Sequence, residues 1–162
     1  VERVWKQWHK QKEDNMAIYE TDAAKTNKPA PTGSSGAEVL AVRGVVTLPD
    51  TLAINELIKG AILPAWHVPV DVIVDADDLD SATSITLTAA VLNAGLTDIE
   101  AGTNFFTAST IAQGGGLARM DLKTGPRLAV SSSDRYVGLK VVAAAGTPVA
   151  GDVGFTMLYR PA

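Results

Sequence analysis

The side chains best suited to chemistry form one acidic group, Asp75, Asp77, Asp78 and Asp80. Alternating carboxylates in a loop suit a hard cation such as calcium, because several oxygens must converge at roughly 2.3–2.6 Å from the ion. The pattern departs from an EF-hand loop, since Leu79 stands where the third alternating ligand should be and no closing Glu follows in the expected frame. We therefore expect an Asx-rich turn here, with no metal and no cofactor.

A hydrolase-type site is the next possibility. Three serines at residues 131–133 precede Asp134, and His67 is the only histidine of the main body that could act as a base. A catalytic triad needs a hydroxyl, an imidazole and a carboxylate within hydrogen-bond reach, and nothing in this spacing selects such a set. We predict that His67 is a hydrogen-bonded structural residue, that there is no catalytic residue, and that the protein is not an enzyme.

Three consecutive glycines at residues 114–116 resemble part of a phosphate-binding loop. They lack the Gly-Lys-Ser/Thr that closes a P-loop, and no strand-helix-strand frame surrounds them. The glycines therefore predict a turn and no cofactor-binding site.

Composition limits the classes of function. The chain has 162 residues, which suits one domain, and a net charge of −4, which gives no electrostatic support for nucleic-acid binding. It has no cysteine and no apolar stretch approaching the roughly 18 residues of a membrane span. Charged residues make up 20% of the chain, below the roughly 25% of ordinary soluble domains. We expect part of the surface to be covered by other chains, with neither nucleic acid nor membrane as a partner.

The elements that would position these side chains are strands. Valines at residues 68, 70, 72 and 74 alternate, and so do Val153, Phe155, Met157 and Tyr159, and a period of two places each set on one face of a strand. Predicted strands, separated by Gly, Pro, Asn and Asp turns, cover residues 37–48, 53–63, 67–75, 84–92, 117–121, 136–143 and 151–160. Residues 104–113 are expected to be a short helix or an irregular loop.

This pattern predicts an all-β fold, with a β-sandwich or jelly-roll-like body of about seven or eight strands over residues 37–162. The side chains predicted for the inner faces are Val70, Val72, Val137, Leu139, Val141, Phe155 and Met157.

Residues 1–36 are expected to form an extended N-terminal arm. A short helix is possible at residues 3–12, with two tryptophans on one side. Residues 1–15 are either an amphipathic anchor for a partner or a non-native extension ahead of a start at Met16. Residues 17–36 end in a Pro-, Gly- and Ser-rich run without periodicity. We expect this linker not to bury itself, and to be a disordered tail or an arm lying across a neighbouring subunit.

Four segments together carry a family resemblance: LPAWHVPVDVIVDADDLDS (residues 63–81), STIAQGGGLARMD (109–121), DRYVGLKV (134–141) and GTPVAGDVGFTMLYRPA (146–162). They resemble small virion structural proteins of tailed bacteriophages, which are capsid cement, decoration or head-associated proteins. The resemblance implies a non-enzymatic protein on the capsid surface that stabilises the shell, made in the bacterial host cytoplasm. Its implied partners are the major capsid protein and copies of itself in a homo-oligomer.

A second class of function stays open. The same sandwich could be a carbohydrate-binding or adhesin module of a phage tail or fibre, in which Trp66 or the pair Phe105 and Phe106 stacks on sugar rings. An aromatic platform must be exposed in such a module and buried in a cement protein.

Overall fold

The protein is described by a computed structural model that covers residues 16–26, 31–32 and 38–162, so the helix predicted at residues 3–12 lies outside the described residues. These residues form nine strands in two sheets, which confirms the predicted all-β sandwich. The strands are β1 (Ile18–Glu20), β2 (Leu40–Leu48), β3 (Leu57–Leu63), β4 (His67–Ala76), β5 (Thr86–Val91), β6 (Phe106–Ser109), β7 (Gly116–Arg119), β8 (Arg135–Ala143) and β9 (Gly151–Pro161). The strand orders are β1-β3-β8-β5-β6 and β2-β9-β4-β7.

Strand β9 organises the four-stranded sheet. It pairs antiparallel with β2 on one side and with β4 on the other. Its alternating residues Val153, Phe155, Met157 and Tyr159 are fully buried, as their spacing predicts. The predicted inner face of this strand is therefore confirmed.

Strand β4 does not keep all its valines on one face. The ladder with β9 shifts register between Pro69 and Asp71, so Val70 has no partner residue. Val72 and Val74 are fully buried, whereas Val70 is 39% exposed. The prediction that Val70 lies in the core is wrong, because a β-bulge adds one residue and reverses the alternation beyond it.

Strand β8 has the equivalent central place in the five-stranded sheet, where it pairs antiparallel with β3 and β5. Val137, Leu139 and Val141 are fully buried, which confirms their predicted inward direction. They belong to the same apolar cluster as Phe155 and Met157, so the core lies between the two sheets.

Part of the predicted arm is packed on the body. Strand β1 pairs in parallel with β3, and the backbone N–H of Thr21 donates to the Lys59 carbonyl at 2.9 Å. A 3-10 helix, Asp22–Ala24, follows, and Ala24 is fully buried. The two alternatives predicted for residues 17–36, a disordered tail and an arm lying across a neighbouring subunit, are therefore wrong for residues 18–24. This stretch does not fold on itself, and the edge of β3 supplies the hydrogen bonds that it cannot make alone. The division of the chain after residue 36 stays a prediction.

Tyr159 makes a second connection to the predicted arm. Its hydroxyl donates a hydrogen bond of 2.6 Å to the carbonyl of Pro31. Burial raises the pKa of Tyr159 to about 12, so the hydroxyl keeps the proton that it donates at neutral pH.

Residues 104–113, which were predicted to be either a short helix or an irregular loop, contain both a strand and a 3-10 helix. Strand β6 occupies their centre, and a 3-10 helix, Ile111–Gln113, follows it. The strand was missed because Phe105 and Phe106 are adjacent and both buried, which breaks the alternating pattern. Across the described residues, neither short helix is long enough to cross a membrane.

Candidate functional site

The acidic group does not converge on one point. Asp75 accepts two hydrogen bonds from the Arg43 guanidinium, at 2.6 and 2.9 Å. Asp77 accepts the backbone N–H of Asp152 at 2.9 Å, and Asp78 accepts that of Asp80 at 3.1 Å. Within residues 16–26, 31–32 and 38–162, no group of three or more His, Cys, Asp or Glu side chains is placed to hold a metal ion.

Asp80 is the structural centre of this loop. Its side chain is fully buried, and Oδ1 accepts the N–H groups of Ala82 and Thr147 at 3.0 and 2.9 Å. Oδ2 accepts the N–H groups of Ser84 and Ile85 and the Ser84 hydroxyl, at 2.7, 2.9 and 2.8 Å. Burial by itself would raise the pKa of the Asp80 carboxyl, but these hydrogen bonds outweigh it and hold the pKa well below its usual range. The predicted Asx turns are present at Asp78 and Asp80.

The absence of a metal requirement stays a prediction, and it has a direct test. We expect the melting temperature to be the same, within about 1 °C, after treatment with chelator and after addition of millimolar calcium. The reason is that an ion bound to the native state would stabilise it by mass action. A rise of several degrees with calcium, reversed by chelator, would show that the loop does bind the ion.

His67 and the serines at residues 131–133 are not arranged as a triad. The Nδ1–H of His67 donates to the Ala65 carbonyl at 2.8 Å, since a carbonyl can only accept. Its Nε2 is buried and has no hydrogen-bond partner within residues 16–26, 31–32 and 38–162, so none of the serines at residues 131–133 donates to it. The Asp134 carboxylate accepts the backbone N–H of Ala65 at 2.8 Å. These groups hold the turn between β3 and β4, which is the structural role predicted for His67.

Gly114 and Gly115 form the predicted turn, and Gly116 is the first residue of β7. The turn connects the 3-10 helix Ile111–Gln113 to β7, and all three glycines are exposed. Gly115 has φ = +75°, a conformation that glycine adopts without steric cost. The turn precedes a strand and no α-helix, so it lacks the helix N-terminus that a P-loop uses to bind phosphate.

The aromatic residues considered for sugar stacking do not form a platform. Phe105 and Phe106 are buried at 0% and 3% exposure, whereas Trp66 is 64% exposed. Trp66 also has φ = +62°, which is uncommon for a bulky residue. The two phenylalanines belong to the core, whereas Trp66 is exposed as a single aromatic side chain, so aromatic burial by itself does not decide between the two predicted functions.

The outer face of the four-stranded sheet carries a cross-strand ion pair. The register places Val45, Gly154, Asp75 and Leu117 side by side across β2, β9, β4 and β7. Arg43 reaches from β2 over Gly154 to Asp75, and a Cβ at Gly154 would overlap both charged groups. Val45 and Leu117 beside this pair are 46% and 64% exposed. Sequence reasoning missed Arg43, although its place between outward-facing residues of β2 was a usable signal.

Sequence reasoning also missed a cavity of about 390 Å³, here called the Arg135 cavity. Its charged lining residues are Glu100, Lys123, Arg127 and Arg135. The Nε and Nη2 atoms of Arg135 are buried and have no hydrogen-bond partner among the residues that the structure describes. The lining comes from three separate parts of the chain, so no local motif marks it.

Comparisons with known proteins give matches in fold. No family model matches the chain, and no curated protein matches it. Among solved structures, a chain in the capsid of Ralstonia phage GP4 matches with a TM-score of 0.77 and 28% identity, over 90% of this chain and 99% of that chain. A chain in the capsid asymmetric unit of cyanophage Pam1 matches with a TM-score of 0.60 and 26% identity, over 87% of this chain and 99% of that chain. This chain is therefore similar over most of its length to chains of phage capsids, which supports a structural, non-enzymatic role in a phage virion.

Proposed function

We propose that this protein is a capsid cement or decoration protein, which binds the outside of a phage head and stabilises the shell by bridging its subunits. The observation that carries the proposal is the coverage of the matched capsid chains, 99% in each case. One sandwich of this size therefore accounts for a whole chain in each of two capsids. Its partners here would be the major capsid protein and further copies of itself, after synthesis in the host cytoplasm.

The exposed apolar side chains support a bridging role. Val45 and Leu117 lie on the outer face of the four-stranded sheet, and Ile54 and Val142 are 53% and 41% exposed elsewhere on the surface. Burial of such surface against neighbours stabilises an assembly by roughly 25 cal/mol per Å², less the cost of association. A shell that carries many copies gains this contribution at every site.

Trp66 is a suitable anchor for one of these contacts. Both of its backbone groups are held, since its N–H donates to Ser131 at 2.8 Å and its carbonyl accepts from Ala162 at 2.9 Å. The indole is thus presented from a fixed backbone with a positive φ, a conformation that persists where surrounding structure holds it. Exposed tryptophans are frequent centres of binding energy at protein interfaces.

Heating of phage particles tests the proposed function. We expect particles that lack this protein to release their DNA at a temperature several degrees lower than complete particles, because bridging contacts across the shell are missing. Release is measured with a DNA-binding dye during a temperature ramp. Addition of the purified protein to deficient particles should restore the higher temperature, and cryo-electron microscopy should show added density on the outer surface.

Equal release temperatures with and without the protein would contradict the cement role. Density on a tail or fibre, with an unchanged head, would place the protein in a different part of the virion.

Trp66→Ala provides a variant in which folding is retained, because the indole is largely exposed. It should restore the release temperature less effectively than the wild-type protein at the same concentration.

A further inference from the structure

We propose that the Arg135 cavity binds a carboxylate, namely an aspartate or glutamate side chain that a protein partner in the virion inserts into it. This inference names a chemical feature of the partner and rests on the proposed function for the identity of that partner as a shell protein. The cavity itself, and its preference for a carboxylate, follow from the geometry of this chain.

Arg135 supplies the recognition element. Arg135 lines the cavity, and within the described part of the chain two of its buried nitrogens, Nε and Nη2, have no hydrogen-bond partner. Buried donors without partners are rare in folded proteins, because each loses its bonds to water and gains none in return. Burial lowers the pKa of the Arg135 guanidinium, and the charge of Glu100 offsets only part of that effect. A carboxylate at this position would supply acceptors for both nitrogens.

The geometry of the two free donors favours a carboxylate. Nε and Nη2 form one edge of the guanidinium, and their parallel N–H groups match the two oxygens of a carboxylate. Both nitrogens are buried in this conformation, so the proposal requires the guanidinium to turn towards the cavity when the carboxylate enters. Glu100 also lines the cavity, and its negative charge disfavours a doubly charged phosphate more than a singly charged carboxylate.

The charge of the cavity is opposite to that of the whole chain. Lys123, Arg127 and Arg135 line it against the single acid Glu100, although the chain carries a net charge of −4. Such a local basic site on an acidic protein selects an acidic partner group and speeds its approach.

The surroundings of the cavity favour a protein as the source of that carboxylate. Ala129 lines the cavity, and the next residue, Val130, is 47% exposed. Ser131 follows and holds the backbone of Trp66, whose indole is 64% exposed. The chain that forms one wall of the charged cavity therefore continues into a segment with exposed apolar side chains, and a combination of charged and apolar contacts is typical of a protein interface. A free carboxylate would leave these apolar side chains uncovered.

The first experiment uses the isolated protein and acetate as the probe. We expect saturable shifts in the NMR signals of the Arg135 Nε–H and of the Gly102 and Ala129 amides, with a dissociation constant in the millimolar range, as suits a single small anion. Chloride at equal ionic strength should produce no such shifts. Saturable binding of inorganic phosphate in place of acetate would overturn the carboxylate assignment, and no response to either anion would overturn the site.

Two variants test the roles of the basic residues. Arg135→Lys keeps the charge and removes the two-pronged donor edge, so the affinity for acetate should fall at least about tenfold. Lys123→Gln combined with Arg127→Gln changes only exposed lining residues, so this variant keeps the test informative if Arg135→Lys does not fold. Lys25→Gln, which removes an exposed positive charge outside the cavity lining, is the control and should bind acetate like the wild type.

The second experiment measures binding to particles that lack the protein. Both cavity variants should bind at least about tenfold more weakly than wild type, and Lys25→Gln should bind normally. If the wild type binds particles and the cavity variants bind equally well, the carboxylate inference fails and the proposed function stands. If the wild type does not bind particles, the proposed function and the assigned partner fail together, while the acetate titration still decides whether the cavity binds carboxylates.

Discussion

Phe155→Ala should lower the free energy of unfolding by about 3–5 kcal/mol, the usual cost of truncating a buried phenylalanine. Phe155 is fully buried at the centre of β9 and belongs to the cluster between the sheets. A loss of this size is a large fraction of the roughly 5–15 kcal/mol that holds a domain of this kind together. Urea unfolding followed by circular dichroism measures it.

Thr156→Ala is the matched control on the opposite face of the same strand. Thr156 is half-buried, and its hydroxyl accepts a hydrogen bond of 3.0 Å from Arg43 in the exposed ion-pair network. Loss of one such surface interaction should cost under about 1 kcal/mol. If Thr156→Ala proved the more damaging of the two, the assignment of inner and outer faces to β9 would be wrong.

Gly60 adds a test of how the sheets meet. A Cβ at Gly60 of β3 would overlap the ring of Phe155, so the glycine lets the two sheets approach at this point. Gly60→Ala should destabilise the wild type by about 1–3 kcal/mol through overpacking. In the Phe155→Ala background the added methyl group enters vacant space, so its cost should fall, and the difference is the coupling between the two residues. Additive effects would mean that the two residues do not pack together.

The sequence predicted those parts of the fold that follow from a strict alternation. Strand β9 alternates without interruption, and its inward and outward residues are those expected. Strand β4 alternates equally well in sequence, yet the set of alternate residues that faces the core changes at Val70, where the β-bulge lies. Pro69 has no N–H to donate and lies at the register shift, but a proline in a strand is also compatible with an edge position. Only the pairing with β9 decides where the extra residue is placed.

The short strands β1 and β6 show a second limit. Strands β1 and β6 carry too little alternation to be recognised by themselves, although the equally short β7 was predicted, and each is ordered by hydrogen bonds to a distant strand. Tyr159 and Pro31 are linked over a separation of 128 residues. Contacts of this kind depend on the finished sheet, so the segment before residue 37 looked independent of the body in the sequence.

The two candidate sites likewise differ in whether the sequence alone could predict them. The acidic loop could be interpreted from sequence, because Asx turns join residues that are close along the chain. The Arg135 cavity could not, because its walls come from three segments between residues 100 and 135 and its defining property is a pair of buried nitrogens without hydrogen-bond partners among the described residues. An arginine at the start of a strand is ordinary in sequence, and only its packing reveals the unpaired donors.

Asp80→Asn should be strongly destabilising, even though it conserves the shape of the side chain. The carboxylate accepts five hydrogen bonds, and both of its oxygens act only as acceptors. An amide in its place keeps one oxygen, and its NH₂ group must face N–H donors, for instance those of Ser84 and Ile85. Because buried donors would lose their acceptor, we expect the melting temperature to fall by roughly 10 °C. Asp78→Asn is the control, since the exposed Asp78 accepts only one N–H.

The same carboxylate should make stability depend on acidity. The folded state holds the pKa of Asp80 below its usual range, whereas in the unfolded chain it lies near roughly 3.9. The stabilisation is therefore fully present above the unfolded pKa and is lost as the pH falls below it towards the folded pKa. Wild-type protein should lose stability between about pH 5 and pH 2, and Asp80→Asn, which has no proton to take up at this position, should show a flatter profile in that window. Parallel profiles for the two proteins would mean that other carboxylates cause the acid sensitivity, and that the hydrogen bonds to Asp80 do not favour its ionised form as the geometry requires.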